Sequence, residues 1–151
     1  MKLYIMSGIP GAGKSTWIAN NVEQSAPVCS ADHHFLDRVT GEYKFDFRQL
    51  AAAHSECFNK FKANLDNLVN TIVVDNTNTT WGQCARYVEA GLSAGYEVVV
   101  VRLVVDPSVA AARNVHAVPA ASVATMASRQ LVIPQDIKNN PKFSMVTVES
   151  K

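Results

Sequence analysis

Gly8-Ile9-Pro10-Gly11-Ala12-Gly13-Lys14-Ser15-Thr16 follows a short apolar run, Leu3-Tyr4-Ile5-Met6, and leads into a segment of helical character. The stretch satisfies the pattern G-x-x-x-x-G-K-S/T at every fixed position. Its glycines let the backbone curl so that successive N–H groups turn inward toward phosphate oxygens, with the positive end of the following helix behind them. The expected phosphate cradle is therefore Gly8, Pro10, Gly11, Ala12, Gly13, Lys14, Ser15 and Thr16. Lys14 would reach the β- and γ-phosphates of a nucleotide, and Ser15 would ligate Mg²⁺. The context agrees with the motif: a strand before it, a helix after it, and a later hydrophobic strand, Thr71-Ile72-Val73-Val74, that ends in Asp75.

The 151 residues, 48% of them hydrophobic, suffice for one core and are too few for two ordinary domains, so a single domain over residues 1–151 is expected. Fourteen basic against thirteen acidic residues leave a formal charge of +1, so no whole-molecule field draws in a polyanion. Contact with nucleic acid would have to be local. Cys29, Cys57 and Cys84 are odd in number and widely spaced, which argues against a disulfide framework and a zinc site and for a reducing compartment. No apolar run approaches the ~20 residues of a membrane span, and the amino terminus lacks a signal-peptide pattern. The expectation is a soluble, cytoplasmic protein with no membrane partner.

The first strand, residues 3–7, is continuously apolar, as for a central parallel strand covered on both faces. A helix is expected over residues 14–22 and a short strand over 27–31, delivering Asp32, His33 and His34 to the carboxyl edge of the sheet, where open α/β sheets bind ligands. Residues 39–43 read as a turn. Phe47, Leu50, His54, Cys57, Phe61, Leu65 and Leu68 then recur by threes and fours, the stripe of a long amphipathic helix, with Asp46 and Gln49 as its capping box. His54 falls on that stripe as a core histidine. The strand at 71–74 presents Asp75, Asn76, Thr77 and Asn78 at the same edge. Thr80 with Gln83 offers a second capping box, Trp81, Cys84, Ala85, Val88 and Leu92 form a buried stripe, and Gly95 stands where a helix stops. A strand follows over 97–105, then a short helix capped by Asp106 with Pro107 in its first position, carrying Arg113 and Asn114. Residues 115–119 break it, a further helix is expected over 120–131, and a last strand over 143–148. The alternation implies a three-layer α/β/α fold around a parallel sheet of four to five strands with right-handed crossovers, and a short helical lid.

Phosphoryl transfer from ATP requires a phosphate cradle, a divalent ion, a group that deprotonates or orients the acceptor, and positive charge near the transferred group. The chain offers a candidate for each. Asp32 is placed to accept a proton from a hydroxyl lying across the crevice from the γ-phosphate. Asp75 occupies the usual position of the carboxylate that holds Mg²⁺ and its waters. Arg113, just before a broken helix, is the candidate mobile cation, since a guanidinium can grip two phosphate oxygens. His33 has no partner at metal spacing and reads as an acceptor contact or an exposed residue.

Taken as an ordered set, these residues resemble the kinase domain of phage polynucleotide 5′-hydroxyl kinase and, still more, the polynucleotide-kinase-like domains of some larger eukaryotic proteins. The set is Gly8 to Thr16 with Trp17, Ala31-Asp32, Asp75-Asn76-Thr77-Asn78, and Arg113-Asn114 followed by Ala117-Val118-Pro119 and Met126. In those relatives a stretch such as Gly41-Glu42-Tyr43-Lys44-Phe45-Asp46 precedes a long helix containing Ala53-His54. The resemblance implies a P-loop kinase fold and transfer of the ATP γ-phosphate to a 5′-hydroxyl end of DNA or RNA. It implies Asp32 as general base, Lys14 and Ser15 on the triphosphate and Mg²⁺, Arg113 as lid cation, and Thr77 with its neighbours Asn76 and Asn78 along the acceptor. Near the places of two arginines of the phage pattern this chain has Phe35 and Leu36, and Val115 and His116. Arg38, Arg48, Arg86 and Arg129 are the candidates to stand in. Two other readings stay open: a kinase of a small hydroxylated metabolite, nucleoside or modified DNA base, and an ATP-binding switch or adaptor that transfers nothing.

Overall fold

The structure, a computed structural model, describes residues 1–37, 39–113 and 130–149. Five strands form one sheet: β1 Lys2–Ser7, β2 Val28–Cys29, β3 Thr71–Asp75, β4 Glu97–Val104 and β5 Phe143–Glu149, in the order β2-β3-β1-β4-β5. Every pairing is parallel, with Met6 beside Asp75 and Ser7 beside Arg102 where β1 meets its two neighbours. The last strand, expected from sequence without a place, lies parallel to β4 at the edge.

Because side chains alternate along a strand, the apolar runs feed two cores. Leu3 and Ile5 of β1, Ile72 and Val74 of β3, and Val98 and Val100 of β4 share one face with α2 (Leu50–Asp66) and α3 (Trp81–Ser93). Met6, Val73, Val99 and Val101 point to the other face, against Trp17 and Ile18 of α1 (Lys14–Asn21). Helices on both faces of a parallel sheet give the expected three layers. Phe61 of α2 is fully buried, with its ring 5.0 Å from that of Tyr87 on α3 and 5.8 Å from that of Phe58.

α3 ends as its glycine predicts. Gly95 adopts φ +84°, its N–H donates to Leu92, and the Tyr96 N–H reaches back to the Gly91 carbonyl, so the last turn is closed without a strained side chain. The helix α4 (Pro107–Ala112) begins at Pro107, and Asp106 Oδ1 accepts the Ser108 N–H at 2.8 Å.

Several boundaries differ from the sequence reading. β2 is only two residues long, and Ala31–Phe35, expected to continue from it, is a 3₁₀ turn capped by Ser30. The long helix starts at Leu50 after a separate 3₁₀ turn, Phe47–Gln49. No capping box forms there: Asp46 accepts from the Arg48 N–H and grips its guanidinium, while Gln49 turns away to His34. Of the expected stripe only Cys57, Phe61 and Leu65 are buried, and Ala53, outside it, joins them; Phe47, Leu50 and Leu68 are exposed, and His54 is half-buried, not in the core. At α3, Thr80 makes no side-chain cap; Gln83 Oε1 instead accepts from the Thr79 N–H at 2.8 Å and its hydroxyl at 3.2 Å. The expected helix over 120–131 and break at 115–119 lie, but for its last two residues, outside the described residues, as do Asn114, Arg38 and Arg129.

Phe61 and Phe47 share a helical period but not an environment, since Phe47 is 74% exposed. Phe61→Ala should cost about 3–5 kcal/mol through lost burial and the cavity left behind. Phe47→Ala should stay within about 0.5 kcal/mol, as surface changes do. Urea unfolding midpoints of the two variants check the contrast.

Candidate functional site

The carboxyl ends of β1 and β3 bring the site together. After Ser7 the chain turns through the loop, where Gly11 and Gly13 hold φ +84° and +97°, conformations an L side chain rarely takes. Alternation of left- and right-handed residues makes a concave backbone that suits an anion. The loop then enters α1 directly from Gly13, and Ser15 and Thr16 lie exposed on its first turn.

Lys14 folds back over this loop. Its ammonium donates to the carbonyls of Gly8 at 2.9 Å and Ile9 at 3.2 Å. Burial pushes its proton affinity below the usual lysine value, and the carboxylates of Asp75 and Asp32 pull it back up. An aspartate from the end of β3 and an aspartate from the turn after β2 thus act on a lysine from α1. The sequence places both carboxylates at this edge of the sheet.

The stretch after β3 is stitched to the loop from behind. The Gly8 N–H donates to the Thr77 carbonyl at 2.8 Å, the Ser7 hydroxyl to the Asn78 carbonyl at 2.9 Å, and the Asn78 amide to the Met6 carbonyl at 2.9 Å. Asn78 is only 2% exposed and sits at φ +44°, a conformation asparagine tolerates better than most residues. Asn76 accepts the Ala31 N–H at 2.9 Å and donates to Cys57 Sγ at 3.5 Å. These two amides, expected along the acceptor, instead face the protein: Asn78 supports the loop and Asn76 ties β3 to the turn that carries Asp32. Thr77 is partly exposed beside them.

Asp32 occupies the 3₁₀ turn Ala31–Phe35, partly exposed, and accepts a hydrogen bond from the Tyr43 hydroxyl at 3.0 Å. Sequence reading assigned Tyr43 no role; its place in the Gly41 to Asp46 stretch was the available signal. His33 reaches the surface next to these groups, its imidazole pushed below its usual value by burial and by Lys60 and pulled up by Asp75 and Asp32. Arg113 follows α4 and is exposed, its N–H donating to the Val109 carbonyl at 3.2 Å. Of the arginines considered as substitutes, Arg48 is held by Asp46 and Arg86 lies 4.5 Å over the Phe58 ring while donating to the His54 carbonyl.

Fold and loop together define a nucleotide-binding α/β domain of the P-loop kinase-like type. Residues 3–130 match the family model described as AAA domain, and the chain belongs to that family. Human NEDD4-binding protein 2 is 28% identical over 131 residues, which is 82% of this chain and 7% of the human protein; the chain thus spans a small part of the relative it matches. Two solved structures share the fold. A gluconokinase from Sinorhizobium meliloti 1021 superimposes with a TM-score of 0.55 at 17% identity, covering 97% of this chain and 82% of that one. The Mycobacterium tuberculosis APS kinase CysC, solved with AMPPNP and APS, gives 0.54 at 17% identity, covering 97% and 87%. Among the described residues no helix is long and apolar enough to cross a membrane.

The turn bearing Asp32 is also held from outside by His34, whose Nδ1 lies 2.6 Å from Glu56 Oε2 and whose Nε2 lies 2.9 Å from Gln49 Oε1. These bonds raise the imidazole above its ordinary 6.5. A raised folded-state value means the stabilisation is complete below about pH 6.5 and is lost as pH rises through the folded value. Glu56→Gln should therefore lower stability at pH 5.5 and have little effect at pH 8.5. Paired denaturant midpoints at the two pH values check this.

Proposed function

We propose that the chain is an ATP-dependent phosphotransferase whose acceptor is the 5′-hydroxyl end of a nucleic acid. The observation that supports it is a loop with left-handed Gly11 and Gly13 whose Lys14 folds back onto the Gly8 and Ile9 carbonyls, at the sheet edge where Asp75 ends β3 and Asp32 follows β2. The left-handed glycines, the lysine and the exposed Ser15 and Thr16 fit a triphosphate. Ser15 and Asp75 would hold Mg²⁺, which neutralises phosphate charge as the transfer proceeds. Asp32 takes the proton of the acceptor hydroxyl as its oxygen bonds to the γ-phosphorus and the bond to the ADP oxygen breaks. Lys14 and Arg113 balance the charge on the phosphoryl oxygens, and His33 and Thr77 flank the acceptor.

Support for a nucleic-acid end comes from the resemblance of the ordered motifs and from a nearby apolar surface. Phe45, 51% exposed, has its ring tilted against Phe35 at 5.1 Å, and Phe47 lies exposed two residues on. Such rings accept a base by stacking. A second reading, a small hydroxylated molecule, is favoured by the formal charge of +1 and by the shared fold with a gluconokinase and an APS kinase.

With labelled ATP, Mg²⁺ and 5′-hydroxyl oligonucleotides, label is expected on the oligonucleotide end. Label only on a nucleoside or sugar moves the assignment to the second reading, and ATP binding without any transfer makes the domain a switch. Asp32→Asn should leave ATP affinity nearly unchanged and cut turnover about 10²- to 10⁴-fold; unchanged turnover would remove Asp32 from the mechanism.

A further inference from the structure

We propose that Tyr43 is a positioning residue for phosphoryl transfer, its phenol holding the Asp32 carboxylate at the angle the acceptor proton requires. This rests on the assignment of Asp32 as base. Asp32 stands on a 3₁₀ turn that follows a two-residue strand, and a 3₁₀ turn has poorer hydrogen-bond geometry than an α-helix. Tyr43 arrives from the far side of a small closed hairpin. The Asp37 N–H donates to the Glu42 carbonyl at 2.8 Å, the Gly41 N–H to Asp37 at 2.8 Å, and the Lys44 N–H to Phe35 at 2.9 Å. Leu36 and Tyr43 form an antiparallel bridge, and Asp37 Oδ1 accepts the N–H groups of Val39 and Thr40.

The ring is as constrained as the backbone. It meets Phe35 edge-on at 6.1 Å, and Phe35 is 5% exposed, so the phenol approaches Asp32 from a packed base. Donation to Oδ1 at 3.0 Å restricts rotation of a carboxylate whose two oxygens otherwise exchange. Burial and the Asp32 charge push the phenol well above its usual 10, so it stays protonated and donates at any working pH. Tyr43 thus acts through Asp32 and is not itself a proton-transfer group. A misplacement of about 1 Å can cost 10²-fold in rate, which sets the scale of the effect.

The test is a double-mutant cycle in Tyr43→Phe and Asp32→Asn, with turnover counted per ATP-binding molecule so that unfolded protein does not register as loss. Tyr43→Phe keeps the ring and removes one hydroxyl. Expected is a fall in kcat of about 10- to 100-fold with the KM for ATP within about 2-fold, and no further fall in the Asp32→Asn background. Equal falls in both backgrounds would make Tyr43 merely structural and overturn the proposal. Wild-type kcat in Tyr43→Phe, beside a crippled Asp32→Asn, overturns the positioning role alone. Full turnover in Asp32→Asn removes the base assignment, and this inference with it.

Discussion

The constraint on which the site depends is a lysine ammonium folded back onto the carbonyls of its own loop, in the field of two carboxylates, Asp75 at the end of β3 and Asp32 on the turn after β2. Burial disfavours the cation and lowers the proton affinity of Lys14, and the negative fields of Asp75 and Asp32 act against that shift. Its ammonium keeps two carbonyl partners in the loop. The sheet order β2-β3-β1 meets this need directly: it sets the strand carrying the loop beside the strand ending in Asp75, and the segment bearing Asp32 beyond that. Parallel pairing then delivers all three to one edge.

Position along the edge is refined by groups behind the loop. The Asn78 amide and the Ser7 hydroxyl cross-link the start of the loop to the segment after β3. Asn76 extends the chain of contacts to Ala31 and, through Cys57, to α2, where the Tyr87 hydroxyl also donates to the same sulfur at 3.4 Å. A shift of α3 or α2 would therefore be felt at the turn of Asp32. Closely packed interiors transmit displacement in this way.

The central strands were legible in the sequence because burial on both faces leaves β1, β3 and β4 continuously apolar. Lys14 and Asp75 were legible because a motif and a strand end place them. The remainder was hidden for physical reasons. A two-residue β2 leaves no period to read. Phe47 and Leu50 continue a helical spacing that the surface interrupts, since spacing records direction along a helix and not what lies opposite. The resemblance implies Asn76 and Asn78 along an acceptor, yet their partners are groups of the protein distant in sequence: Ala31 and Cys57 for Asn76, Met6 for Asn78. Tyr43 meets Asp32 only after a hairpin closes, a contact without a sequence period.

Charge bears on how any acceptor is told apart from water. With a formal charge of +1, attraction between the whole molecule and an anion is weak, and Debye screening at physiological salt confines what remains to about 8 Å. Arg48 is engaged by Asp46 in two hydrogen bonds, and the Arg86 guanidinium is drawn over Phe58. Short-range contacts then weigh more, and rings gather about the turn of Asp32: Tyr43 donates to Asp32, and Phe35 meets Tyr43 and His34 edge to face and Phe45 at a tilt, with centroids 5.1 to 6.1 Å apart. Flat apolar surfaces favour an acceptor that presents a planar face near its hydroxyl over one that presents only charge. Binding through such rings would depend less on ionic strength than binding through a row of phosphates.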